Sequence, residues 1–226
     1  NYRLALRKQK IDVRTKTSIL EIEKTETQLQ VTLSDDSVVE VDKVLICVGR
    51  RAVSIESDIE LEKVNSQILV NQYQQTSVPT IYGAGDCCSE LQLAHLASSQ
   101  ARNAVRHMFN LSNYENTQVV PKVLYVTPQI ASVGESEGIS VKVSMNSSGM
   151  ATIQKQDRGF VKLVKENNYL IGAHLMMHDA GEIIPLLTTA IALKTPISEL
   201  LSIVYPHPSL SETIKEALIQ LQEHIV

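Results

Sequence analysis

The residues best suited to chemistry lie near the carboxyl end, in the run Tyr205-Pro206-His207-Pro208-Ser209-Leu210-Ser211-Glu212. Two prolines clamp His207 and restrict the backbone on both sides, so the imidazole has a set direction before any partner arrives. Glu212 follows at the start of a helical pattern, within reach of one ring nitrogen. The other nitrogen would then be a base, the second half of a nucleophile–base–orienter arrangement. Ser209 to Glu212 also has the spacing of a capping box, in which the Glu closes back on the helix N-terminus. Spacing alone leaves both roles open for Glu212. His207 has no comparable structural duty, which favours a functional one.

A second constellation is Gly83-Ala84-Gly85-Asp86 at the end of a short apolar run. Gly-x-Gly lets a backbone come close to a ligand, and an acid just beyond can accept hydrogen bonds from polyol hydroxyls. The same residues also read as a Gly-rich turn with an Asp helix cap. The phosphate-cradling G-x-G-x-x-G pattern is absent, so any dinucleotide must have its phosphates held by something this chain does not contain. Gly49 ends the apolar run Val44 to Val48, a position where α/β proteins present ligands and where plain turns also occur. Cys47, Cys87 and Cys88 have no C-x-x-C or zinc-finger spacing, and adjacent cysteines bridge with difficulty, so free thiols and no metal site are expected. His95, His107, His174, His178 and His224 lack acidic or cysteine partners at ligand spacing and read as ordinary surface residues.

These residues must be positioned by a chain whose pattern changes along its length. Residues 11–13, 18–22, 28–33 and 38–41 alternate apolar and polar side chains as half-buried strands do, with a polar turn at Ser34 to Ser37. Lys43 to Val48 is consecutively apolar, the pattern of a strand buried on both faces. A strand pair is expected near 68–70, a short strand at 78–82, and a helix rich in small residues over 91–109. Beyond a polar linker at 111–118, strands are expected at 122–126, 130–133, 141–145, 151–154, 160–165 and 169–175. Helices are expected at 180–194, 197–203 and 211–224. Strands followed by helices are the α+β signature. The last helix carries Ile214, Leu218, Leu221 and Ile225 as an apolar stripe, read as core in preference to a partner surface.

Composition narrows the class. The chain has 226 residues, 43% hydrophobic and 20% charged, with a net charge of −4. That balance excludes a disordered tail and a disulfide-stapled miniprotein, and it lacks the basic footprint of a nucleic-acid binder. No apolar run approaches the roughly 18 residues of a membrane span. With reduced thiols, the expectation is a soluble, cytoplasmic protein.

Taken in order, these motifs resemble the flavin-dependent pyridine nucleotide-disulfide oxidoreductases. The resemblance rests on Val48-Gly49-Arg50-Arg51, then Thr76 to Asp86, then Leu93-Ala94-His95 opening a helix. It continues through Pro121-Lys122-Val123, Tyr125 to Pro128 and Ala131 to Gly134. The ending His207-Pro208-Ser209-Leu210-Ser211-Glu212 is most similar to the dihydrolipoamide dehydrogenase branch; glutathione-type members carry a small polar residue where Leu210 stands. The resemblance implies an α/β plus α+β protein. Residues 1–50 would end a Rossmann-like NAD-binding domain, 51–118 would complete the FAD domain, and 119–226 would be the dimerisation domain. It implies FAD and NAD as cofactors, with Asp86 on the ribityl chain and Ala94, Gly85 and His95 at the flavin. Gly49 would border the NAD site, and His207 would be the base, oriented by Glu212 across a homodimer interface next to a cis His207-Pro208 peptide. A lipoyl-bearing component of a 2-oxoacid dehydrogenase complex would be a partner. The family's redox disulfide and Gly-rich units have no counterpart here, and the chain opens at Asn1 without Met, so a fragment is expected. Two further readings stand beside this one: a glutathione-type reductase using NADPH, and a non-catalytic dimerisation or docking fragment. Gln129, where the family usually has Glu, and Cys87-Cys88 after Asp86 depart from its pattern.

Overall fold

A computed structural model describes residues 2–53 and 57–223. The chain divides into two compact units, residues 1–50 and 51–226. The first holds a short helix, α1 (Tyr2–Lys8), and an antiparallel meander of β1 (Ile19–Lys24), β2 (Leu29–Leu33) and β3 (Val38–Val41). The β2–β3 turn is the polar run expected there: Asp35 accepts from the Ser37 amide and hydroxyl, and Asp36 takes a positive φ of 62°.

Three expectations in or near this region fail. Residues 11–13 are irregular, and the short strand at 78–82 reduces to one isolated bridge between Gln75 and Tyr82. Lys43 to Val48 forms no strand; Leu45 and Val48 are 87% and 91% exposed. A consecutively apolar strand is stable only between paired neighbours with cover on both faces. Among the described residues of this unit no strand pairs with it.

The second unit begins with a small hairpin, β4 (Lys63–Val64) and β5 (Gln67–Ile68), turned by Asn65 and Ser66 at positive φ. Helix α2 (Ala94–Met108) comes next. Then comes a five-stranded antiparallel sheet of β6 (Lys122–Leu124), β7 (Gln129–Gly134), β8 (Ile139–Ser144), β9 (Phe160–Glu166) and β10 (Tyr169–Met177), in the order β6-β7-β10-β9-β8. Alternation puts two cross-strand rows on its core face: Ala131, Leu175, Val161 and Val143, then Val133, Ala173, Leu163 and Val141. Over them lie α4 (Ala180–Ala192), on β7 and β10, and α6 (Glu212–Glu223), on β8 and β9; α5 (Ile197–Ser202) packs against α6.

Residues 149–153 are a short helix, α3, where a strand was expected. The Ser148 hydroxyl accepts from the Ala151 amide, and this cap outweighs the β-branched Thr152 and Ile153. Ile214, Leu218 and Leu221 are fully buried in the chain's own core, as read from the stripe, while Ile225 lies outside the described residues. No helix among the described residues is long and apolar enough to cross a membrane.

Candidate functional site

The Pro-clamped His207 and the first residue of α6 meet. His207 Nδ1 lies 2.8 Å from Glu212 Oε1, and the amide of Ser209 donates to Glu212 Oε2 at 2.8 Å. The carboxylate therefore holds the imidazole with one oxygen and closes the helix start with the other. Hydrogen bonds from His207 and from the Ser209 amide hold the Glu212 carboxyl below the usual carboxylate range. An ionised acceptor at Nδ1 fixes the tautomer with the proton on Nδ1 and leaves Nε2 as the basic nitrogen. The His207 side chain is 82% exposed beside a groove of about 670 Å³ floored by α6, with Tyr205, Lys215 and Ser148 on its walls. The His207-Pro208 peptide is cis, as the resemblance implied. Leu210, between His207 and Glu212, is packed into the hydrophobic core, which anchors the loop from below.

The glycine turn does something other than its pattern promised. Gly83 donates its amide to the Gln74 carbonyl at 2.9 Å, and Gly85 donates to Gln100 Oε1 at 2.8 Å. Both glycine amides are thus spent inside the protein. A Cβ on Gly85, where φ is +82°, would stand 3.1 Å from the Ala97 side chain; one on Gly83 would stand 3.1 Å from Val70. The glycines allow the turn to seat against its neighbours. Asp86 is half-buried in that turn, and α2 opens at an exposed Ala94 with no side-chain cap and no acid in its first turn. An acceptor for polyol hydroxyls near an uncapped helix N-terminus fits a flavin, whose electron-rich pyrimidine edge such amides favour. His95 is exposed and hydrogen-bonds the Pro121 carbonyl at 2.8 Å, which ties α2 to the start of the sheet region. Gly49 has φ +109° with nothing within 4 Å of a would-be Cβ, and the residues described around it form no nucleotide cradle. They do not fit NAD by themselves.

All three cysteines are free. Burial, then the neighbouring Cys87, pushes the Cys88 thiol up to about 12, so it is a neutral thiol at physiological pH and a poor nucleophile. The departure at Gln129 also acquires a role: its Oε1 accepts from the Gly181 amide at 2.9 Å and caps α4 from the neighbouring strand. A separate cavity of about 680 Å³ lies between Leu91, Lys122, Glu135 and Lys194, away from the groove beside His207. Sequence reasoning did not find Gln100 or the Ser209 amide, because a long-range side-chain acceptor and a backbone donor leave no mark in spacing.

Comparison with known proteins decides the family. The signature of the pyridine nucleotide-disulphide oxidoreductases matches residues 2–101, and that of their dimerisation domain matches residues 120–218. The chain belongs to this family. Dihydrolipoyl dehydrogenase from Thermus scotoductus is 32% identical over 99% of this chain and 53% of its own length. Dihydrolipoyl dehydrogenase 1, mitochondrial, from Arabidopsis thaliana is 29% identical over 96% of this chain and 46% of its own length. In fold, the chain superposes on LpdA from Mycobacterium tuberculosis with a TM-score of 0.87 at 22% identity, covering 97% of this chain and 51% of that one. The HOCl-induced flavoprotein disulfide reductase RclA from Escherichia coli gives a TM-score of 0.83 at 23% identity, over 99% and 54%. The chain spans about half the length of the curated oxidoreductases it matches.

Proposed function

We propose that the protein carrying this chain is a dihydrolipoyl dehydrogenase, which oxidises dihydrolipoamide with NAD⁺ by way of a cysteine disulfide and FAD. The observation that carries the reading is the His207–Glu212 pair, with Nδ1 bound at 2.8 Å and the imidazole standing open beside a groove. His207 Nε2 takes a proton from a substrate thiol, and the thiolate it leaves is the nucleophile that attacks the disulfide. Glu212 holds the ring in one tautomer and offsets the positive charge the imidazole gains. Across the whole reaction, two S–H bonds become one S–S bond. NAD⁺ takes the electron pair and one proton, and the second proton leaves through His207. Asp86 and the start of α2 would hold FAD, which when bound would supply the two-electron relay between the thiols and the nicotinamide. Gly85 supports this site from behind, with His95 at its helix.

No cysteine lines the groove at His207 among the described residues. We place the disulfide that His207 serves on a second subunit, and the matched dimerisation domain supports a homodimer. The names of the relatives support a lipoyl-bearing component of a 2-oxoacid dehydrogenase complex as the substrate's carrier, and three free cysteines support a reducing, cytoplasmic setting. Buried Leu210 favours this branch over a glutathione-type reductase, since a polar residue there would sit unpaired in the core.

The test is His207→Gln in the full-length protein. Turnover of dihydrolipoamide should fall by about 100- to 10,000-fold. Reduction of the bound flavin by NADH, which needs no thiol deprotonation, should persist. Near-normal dihydrolipoamide turnover in that variant would remove the catalytic assignment.

A further inference from the structure

We infer that Gln100 is a positioning residue of the flavin site, a strut that fixes the distance between Asp86 and the N-terminus of α2; this rests on the flavin reading above. Gln100 is 7% exposed and lies six positions into α2, about 9 Å along the axis from the helix start. Its Oε1 accepts the Gly85 amide at 2.8 Å. Because a backbone N–H can only donate, the atom facing it must be the amide oxygen. One turn nearer the helix start, Ala97 comes within 3.1 Å of where a Gly85 Cβ would be, so the turn rests on the helix at that point and is hydrogen-bonded to it at the next. The amide of Gly83 is pinned from the other side by the Gln74 carbonyl at 2.9 Å. The turn therefore cannot slide along α2 without breaking the Gly85 bond and clashing at Ala97.

Asp86 is the next residue after Gly85, and Ala94 begins the helix that Gln100 belongs to. The two groups that would hold the flavin, an acceptor for its polyol and donors for its pyrimidine edge, are thus parts of one braced unit. Loosening the brace should cost flavin affinity. It should also weaken the positive potential of the helix start at the ring, which makes the reduced flavin less favourable.

The experiment uses the full-length protein with Gln100→Met, which keeps volume and loses the acceptor, and Gln100→Glu, which keeps an acceptor. Four quantities are read: the FAD dissociation constant after reconstitution, the midpoint potential of the bound flavin, exchange of the Gly85 amide hydrogen, and melting of the flavin-free protein. The Met variant should bind FAD about 10-fold more weakly, as expected when a buried amide loses its acceptor. It should have a more negative potential and faster Gly85 exchange, with a fall of a few degrees in flavin-free melting, because the same amide is left unpaired there. The Glu variant should restore affinity and slow exchange. Wild-type affinity and potential in the Met variant would overturn the strut while leaving the flavin reading intact. So would affinity losses in both variants that merely track their melting temperatures. A wild-type protein that takes up no FAD would overturn both.

Discussion

Glu212 serves two partners at once. Its carboxylate has two oxygens, and the loop gives one to His207 and the other to the Ser209 amide. The pair was legible in the sequence because all its parts lie within one loop, where spacing and reach are nearly the same thing. The His207 and Ser209 hydrogen bonds lower the Glu212 pKa, and this has a definite consequence for pH. A lowered folded-state value means the tie is fully present above the ordinary carboxylate range and is lost only as pH falls below it. Glu212 therefore stays ionised through the neutral range, and on the proposed activity the acid limb of kcat/KM for the full-length protein should have a slope of one. A slope of two would mean that Glu212 takes up a proton on that limb as well. On the proposed function, Glu212→Gln in the full-length protein should lower kcat/KM for dihydrolipoamide by about 10- to 1,000-fold, since it removes the charge that supports the imidazolium. Cys88 makes the opposite case. Its thiol is raised from 9.0 to about 12, so the stability gained by keeping it neutral is present below the ordinary thiol range and fades only as pH rises toward the folded value. Iodoacetamide at pH 8, followed by peptide mass spectrometry, should label exposed Cys47 and leave Cys88 unmodified until the protein is denatured.

Element boundaries agreed with the sequence wherever periodicity was strong and local, as in α2, α4, α6 and the strands of the five-stranded sheet. They failed where one side-chain hydrogen bond decided the outcome. Residues 151–154 carry strand-like content, yet the Ser148 cap makes a helix of 149–153. The linker 111–118 was legible as polar, but its anchoring was not. Asn103, 2% exposed on α2, donates from Nδ2 to the Glu115 carbonyl at 2.9 Å and accepts the Glu115 amide at 2.8 Å. The Glu115 carboxylate, held well below the usual range chiefly by Arg102, adds contacts to Arg102 and Arg106 on the same helix. The buried amide pair matters more than the ion pairs, because exposed charges are screened by water and salt whereas a buried donor and acceptor left unpaired carry their full desolvation penalty. Asn103→Ala should therefore destabilise the protein by about 1–3 kcal/mol in urea unfolding, and Glu115→Ala by less. The reverse ranking would show that the ion pairs, and not the side-chain clasp on the backbone, hold the linker.

At the scale of the molecule, the order strands then helices after residue 119 was enough to expect an α+β unit, and the sheet with α4 and α6 over one face is that unit. The apolar run 43–48 was misjudged for a reason that belongs to this scale. Consecutive apolar residues state what environment a strand needs, and whether the environment exists depends on chain far away in sequence. The two compact units differ sharply in what they bury. Every residue of the hydrophobic core cluster, from Ala131 to Leu221, belongs to the second unit, while the buried apolar residues of 1–50 are Ala5 and Val31 among those described. Burial of apolar area is the main favourable contribution to folding, so almost all of it is available to residues 51–226 without the first fifty. A chain of about 50 residues with so little core falls in the size range where independent folding is marginal. Residues 51–226 produced alone should melt in one cooperative transition within about 3 °C of the 226-residue chain, no more than the shift expected from about 1 kcal/mol in a domain of this size. Residues 1–50 produced alone should show the circular dichroism of a largely unfolded peptide. A non-cooperative melt of 51–226, or a fall of more than about 10 °C, would mean that the core is completed by the meander of the first unit and that the division by burial is wrong.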